Sequence, residues 1–251
     1  MAAIKAFLKV ILYQPLFNIM VFFAWLIPGH SIGWGIIFLT LLVRLALWAP
    51  SLKTIKTPIL MRQYQDDIKE IQDKYKADRA AQSQALMAFY KEKGVNPLAG
   101  CLPLLIQLPI LLILYRVFIT GLSNVREDLI YSFTPHIGTV NAMFFGINLA
   151  HPEKIFLPAI AAILQFLQAK HMQMLNPPAA SGSNDPTAMM SKQMTYIFPF
   201  MTFFIALSLP AGLALYWSAT TLFSLLQQIY VAKTFKPVVS KVAVTVRSKK
   251  K

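Results

Sequence analysis

One charge stands in the middle of the most apolar stretch of this chain. Ser31–Pro50 reads SIGWGIIFLTLLVRLALWAP, 20 residues in which Arg44 is the only charged side chain. As one helix it would span ~30 Å at ~1.5 Å per residue, the thickness of a bilayer core. An arginine at that depth costs about 2.5–3.5 kcal/mol to insert on translocon scales. It stays protonated and cannot escape that cost by neutralising. Arg44 is therefore expected to face protein or a wet cavity; the alternative is an arginine that snorkels to the inner boundary near Pro50. Thr40, Gln107, Gln165, Gln168, Ser208, Ser218, Thr220 and Thr221 are the other polar groups in apolar runs. Each has an ordinary use in hydrogen bonds between helices. Gathered around a cation, they would line a hydrated groove in which Arg44 offers a counter-charge at low dielectric to a polar or acidic segment.

Catalytic chemistry has no foothold. His30, His136, His151 and His171 fall mainly in turns and at span ends, and none forms an HExxH pair. There is no GxSxG elbow and no phosphate-cradling glycine loop. Asp and Glu are absent from every candidate span, which argues against a proton relay or a carboxylate cation site. The lone Cys101 excludes an internal disulfide and reads as a packing residue. No enzyme activity, cofactor or metal is expected.

The elements that must position these groups are those of an integral membrane protein: 251 residues, 56% hydrophobic, 14% charged, mean hydropathy +0.54 and a net charge of +14. Residues 4–27 are apolar but interrupted by Gln14, Pro15 and Asn18, and read as an interfacial helix with Trp25 at headgroup level. A sixth span is the alternative. Residues 1–30 form this N-terminal unit and 31–52 the first core span. Residues 53–97 are a polar segment in which Lys53–Lys93 holds nine basic and six acidic side chains. There Met61, Tyr64, Ile68, Ile71 and Tyr75 form one helical stripe, Asp78 interrupts it, and Leu86, Phe89 and Tyr90 resume it. This predicts an antiparallel helical hairpin turning near Lys76–Asp78.

Residues 98–232 hold the four remaining core spans. These are Leu98–Ile119, Ile155–Met174, Met194–Leu209 and Leu213–Val231, the last two joined by Pro210-Ala211-Gly212 and expected to pair antiparallel. Asn176–Asp185 has linker chemistry. Residues 233–251 form a tail with seven basic side chains and no acidic one. Lysine and arginine bias puts the hairpin and tail inside and 120–153 outside, so the N-terminus is outside and the C-terminus inside. The fold class is all-α, with five transmembrane helices, an N-terminal interfacial helix and a cytoplasmic hairpin.

Gly94–Ile110, GVNPLAGCLPLLIQLPI, resembles the signature of the YidC-type membrane protein insertases and their mitochondrial and chloroplast relatives. YQPLFN at 13–18, LTLLVRLALWAP at 39–50, DKYKAD at 73–78 and PAGLALYW at 210–217 extend the resemblance over nearly the whole chain. It implies a five-helix core that inserts membrane proteins without nucleotide hydrolysis, alone or beside the Sec translocon. It places Arg44 in a hydrophilic groove open to cytoplasm and lipid, with a groove glutamine at Gln168 (Gln165 competing) and a groove tryptophan at Trp217; Gln107 is a groove candidate from its place in a span. The large extracytoplasmic domain of Gram-negative members has no counterpart here, nor does a lipobox cysteine. The partners implied are newly made membrane protein clients. The basic tail and the hairpin would meet the ribosome or anionic lipids, contacts that salt weakens, and no DNA partner is expected. Two rivals from other classes are a small transporter or channel with Arg44 as an anion site, and a membrane-complex assembly factor. A transporter predicts an internal repeat, and none is visible.

Overall fold

The computed structural model describes residues 9–96, 102–121, 127–136, 140–175 and 186–235. Residues 97–101 of the signature, with Cys101, the 176–185 linker and residues 236–251 of the tail lie outside the described residues. The fold is helical: α1 (Lys9–Leu26, opening with a π turn), α2 (Ile32–Ala46), α3 (Trp48–Gln63), α4 (Gln65–Lys74), α5 (Arg79–Glu92), α6 (Leu102–Gly121), α7 (Phe156–Leu175), α8 (Pro186–Leu207) and α9 (Ala211–Thr234). Between α6 and α7 lies a two-stranded hairpin, β1 (Met143–Phe144) and β2 (Ile147–Asn148).

α9 is the axis of the bundle. It packs against α2 and α7 along its length and touches α3, α6 and α8. Its inward surface carries Leu213, Ala214, Tyr216, Thr220, Ser224, Gln227 and Gln228, all buried. Large apolar side chains face outward around the bundle: Leu45 on α2, Leu112 on α6, Ile163 on α7, Phe200 on α8 and Leu226 on α9 are each more than half exposed. So much apolar surface is tenable only against lipid or a partner.

The first apolar stretch differs from expectation. It is not one 20-residue helix to Pro50: α2 ends at Ala46, and α3 leaves it at 69°. The cause is local. Pro50 has no N–H to give the Ala46 carbonyl, and its ring would collide with that carbonyl in a continuing helix. In the first turn of a new helix the same proline is tolerated, and there it lies, third in α3. α1 folds back on α2 through the turn at Gly29 and His30, both with positive φ. The two helices approach closely at Gly35, where a Cβ would stand 2.7 Å from the Met20 carbonyl oxygen. Among the described residues α1 is the one helix long and apolar enough by itself to cross a membrane, with the bent α2–α3 pair qualifying jointly.

The polar residues that interrupt α1 have partners. Asn18 is buried, donates to the carbonyls of Gln14 and Leu129, each at 2.8 Å, and accepts from the Tyr131 N–H at 2.8 Å. Gln14 also donates to the Leu129 carbonyl at 3.2 Å. They dock the segment after α6 onto α1.

α4 and α5 pack antiparallel, with Tyr64 against Phe89 and the Gln82 side-chain amide donating to the Gln72 carbonyl. The turn between them runs over Tyr75–Asp78, and the Asp78 carboxylate caps α5 by accepting from Ala80 and Ala81 N–H. Ile68 and Phe89 of the expected stripe are buried.

A second difference concerns α8 and α9. Their three-residue connection holds only the adjoining ends together: α8 packs mainly on α7 and meets α9 sparingly. The connection is pinned elsewhere, since Ala211 N–H donates to the His151 carbonyl and Gly212 N–H to the Leu149 carbonyl, both at 2.9 Å. A short link fixes two points in space and leaves the axes beyond them free to diverge.

Candidate functional site

Four side chains from three helices, Arg44 among them, are joined by three hydrogen bonds into an open ring. Its Nε donates to Thr220 Oγ1 of α9 at 2.6 Å, and its Nη2 donates to Gln107 Oε1 of α6 at 3.4 Å. The Gln107 amide nitrogen donates to the Tyr216 hydroxyl at 2.9 Å, and Tyr216 stands one turn from Thr220 on α9. Three of the four have a local reason to be there. Tyr216 and Thr220 are four apart on α9 and therefore share a face. Arg44 lies in the last turn of α2, where cations suit the helix dipole, and one turn short of the bend at Leu47. Thr40, one turn earlier, satisfies itself on the Ile36 carbonyl at 2.7 Å and adds no competitor.

Arg44 is half-buried, and Tyr216 and Thr220 are buried. A guanidinium offers five N–H donors. Two are used within the ring, and among the described residues no carboxylate pairs with Arg44. A held, uncompensated cation in apolar surroundings can receive an acceptor or a negative charge from a visiting chain. Among the described residues no group of three or more His, Cys, Asp or Glu converges on a metal-sized site.

Trp217, next to Tyr216 on α9, donates its Nε1 to Gln165 Oε1 of α7 at 3.2 Å. The structure thus joins Trp217 to Gln165; Gln168, the α7 residue expected in the groove, lies nearly one turn further along the helix, half-buried. Spacing on α7 alone leaves both glutamines eligible, and the rotation of α7 against α9 brings Gln165 to Trp217. Toward the far end of α9, Gln227 donates to Ser51 Oγ of α3 at 2.7 Å.

Tyr216 is the ring member that sequence reasoning missed. The signal was present: Tyr216, Thr220, Ser224 and Gln227 recur at steps of four, four and three through an otherwise apolar span. That is a polar helical face, the inverse of the usual apolar stripe.

The family model described as "60Kd inner membrane protein" matches residues 22–238. "Membrane protein insertase YidC 1" of Halalkalibacterium halodurans is 36% identical over 221 residues, covering 86% of this chain and 76% of that protein. "Membrane protein insertase YidC" of Fusobacterium nucleatum is 32% identical, covering 81% of this chain and 87% of that protein. "ALBINO3-like protein 1, chloroplastic" of Arabidopsis thaliana is 32% identical over 81% of this chain, which spans 44% of that longer protein. This chain belongs to the 60Kd inner membrane protein family, the family of the YidC-type insertases.

Proposed function

We propose that this protein is a membrane protein insertase of the cell membrane, and that the ring around Arg44 is where it receives its clients. The observation that carries the reading is a cation held by Thr220 and Gln107 with no carboxylate partner among the described residues, beside the tryptophan–glutamine pair Trp217–Gln165. A client's polar segment rests transiently against Arg44 while its apolar segment moves out between the helices into lipid. Burying ~20 apolar residues in hydrocarbon is downhill, so the step needs no nucleotide and makes or breaks no covalent bond. The activity is chaperone-like rather than enzymatic, and the protein works alone or beside the Sec translocon.

Orientation follows the lysine and arginine bias, with the α4–α5 hairpin and the C-terminus inside and the N-terminus outside. α1 packs against α6 and the segment after it, Leu129–Tyr131, which this orientation puts outside. That contact sets the Asn18 part of α1 at the outer side, and both readings stay open: α1 along the outer surface, or as a further span packed on α2, for which its length suffices. The hairpin and the basic tail meet the ribosome or anionic headgroups.

The test is insertion of a two-span client into liposomes holding the purified protein, with Arg44→Ala and Arg44→Lys beside the wild type. Loss with alanine and recovery with lysine is the expected result. Full insertion with well-folded Arg44→Ala overturns the role of the ring. No insertion by folded wild type overturns the insertase reading and leaves transport or complex assembly in its place.

A further inference from the structure

The β1–β2 hairpin carries its most exposed aromatic ring at a backbone position that aromatic residues avoid. Phe145 and Gly146, the two central turn residues, have φ +46° and +81°. A two-residue turn with both φ values positive normally takes Asn-Gly or Gly-Gly, because a bulky side chain is strained there. Phe145 is 84% exposed, so no packing among the described residues accounts for the choice. No charged residue occurs from Asn141 to Pro152.

The hairpin is fastened to the start of α2. Ile32 N–H donates to the Asn141 carbonyl at 3.1 Å, and Asn141 N–H donates to the His30 carbonyl at 3.0 Å. The Phe144 ring lies over Gly33, where any Cβ would collide with it. From Phe145 an unbroken run of rings leads through Phe144 (4.7 Å between centroids), Trp34 (5.6 Å) and Phe38 (6.3 Å) to Phe23 (5.3 Å). Trp34 and Phe38 begin the outward apolar stripe of α2 that continues through Leu41 and Leu45. The strained ring is thus the outermost rung of a surface that already faces away from the protein.

We infer that the β1–β2 hairpin is a lipid-docking element, with Phe145 seated among the headgroups and upper acyl chains of the outer leaflet. This rests on the proposed orientation, with Ser31 at the outer face, and not on insertase activity. Trp34 suits that depth because its indole N–H can stay wet while its ring is apolar, and the Phe145 ring, which has no polar group, gains by leaving water for the upper acyl chains. The consequence bears on the groove. Arg44 is ten residues inward of Trp34, ~15 Å along the helix, so pinning Trp34 at the outer interface holds the guanidinium near the middle of a ~30 Å core. The hairpin acts as a depth stop for the groove.

The test is a nitroxide at Met143, a partly exposed hairpin residue whose replacement leaves Phe145 in place. Cys101→Ser/Met143→Cys protein is labelled and reconstituted in phospholipid vesicles at no more than one chain per vesicle, without client. Collision rates with oxygen and with a water-soluble nickel chelate then report its surroundings, with a label at Glu127→Cys as the aqueous reference. Lipid docking predicts an oxygen-to-nickel ratio severalfold above the reference. Adding Phe145→Asn, a residue suited to the backbone conformation, should lower that ratio at least threefold. A ratio equal to the reference with Phe145 present overturns the inference. So does a ratio that Phe145→Asn leaves unchanged, or exclusion of both probes, which would mean the hairpin is covered by protein. Insertion activity plays no part in the readout, so failure here and failure of the proposed function are separate results.

Discussion

Thr220→Val tests whether the ring works as a unit. The substitution keeps the shape of the side chain and removes the Oγ1 that accepts from Arg44 Nε at 2.6 Å. A hydrogen bond to a charged group contributes about 1.5–3 kcal/mol when buried. Arg44 is only half-buried, and water in a groove can replace part of the loss, so about 1.5–2 kcal/mol is the appropriate range. If that energy holds the guanidinium where a client meets it, the insertion rate falls about ten- to thirty-fold, at 1.36 kcal/mol per decade. The assay is the initial rate of protease-protected client in proteoliposomes, with thermal unfolding of each variant confirming a folded protein. The decisive comparison is a double-mutant cycle. In an Arg44→Ala background Thr220→Val has nothing left to position, and its further effect should be less than about twofold. Equal losses in both backgrounds would mean that Thr220 acts independently of Arg44, and an unchanged rate in the wild-type background would remove Thr220 from the mechanism.

Gln165→Leu and Trp217→Phe should each lower insertion, and the double variant should be no worse than the poorer single one, because both break the same 3.2 Å bond; Gln168→Leu should cost less than Gln165→Leu in the same assay. Asn18→Leu leaves the Tyr131 N–H and part of the Leu129 carbonyl unpaired in a buried site, and should destabilise the protein by about 2–4 kcal/mol in a thermal melt in detergent. Partial desolvation raises the Glu153 carboxyl, but backbone N–H groups from Lys154 to Leu157 at the start of α7 outweigh it and hold its pKa below the usual carboxylate range. Its folded pKa therefore lies below the unfolded one. Its stabilisation is present above the ordinary carboxylate pKa and fades as pH falls through the folded value, so Glu153→Gln should flatten the acid limb of a stability–pH profile.

Much of this protein is legible in one dimension because the bilayer and the helix impose local rules. The lone cation at Arg44, the apolar runs and the basic bias of the inner segments follow from composition and order. So does the turn after Tyr75, where Asp78 breaks a stripe of period 3.6 and supplies a cap from its own side chain. The bend at Leu47 was also latent, since Pro50 denies the Ala46 carbonyl its donor, although a hydropathy reading runs straight past it. What only the tertiary structure decided is rotation and offset between helices. Gln168 is the glutamine expected from the sequence and Gln165 its competitor on the same helix, and the packing of α7 on α9 joins the competitor to Trp217. Tyr216 reads as one more apolar aromatic until α6 brings Gln107 within 2.9 Å of its hydroxyl. Asn18 looks like a flaw in a span until a segment more than one hundred residues away supplies both its distant partners. A side chain's type is written in the chain, but the partner that satisfies it is chosen by how whole helices pack. That choice depends on surfaces distributed over many turns and cannot be read from any one of them.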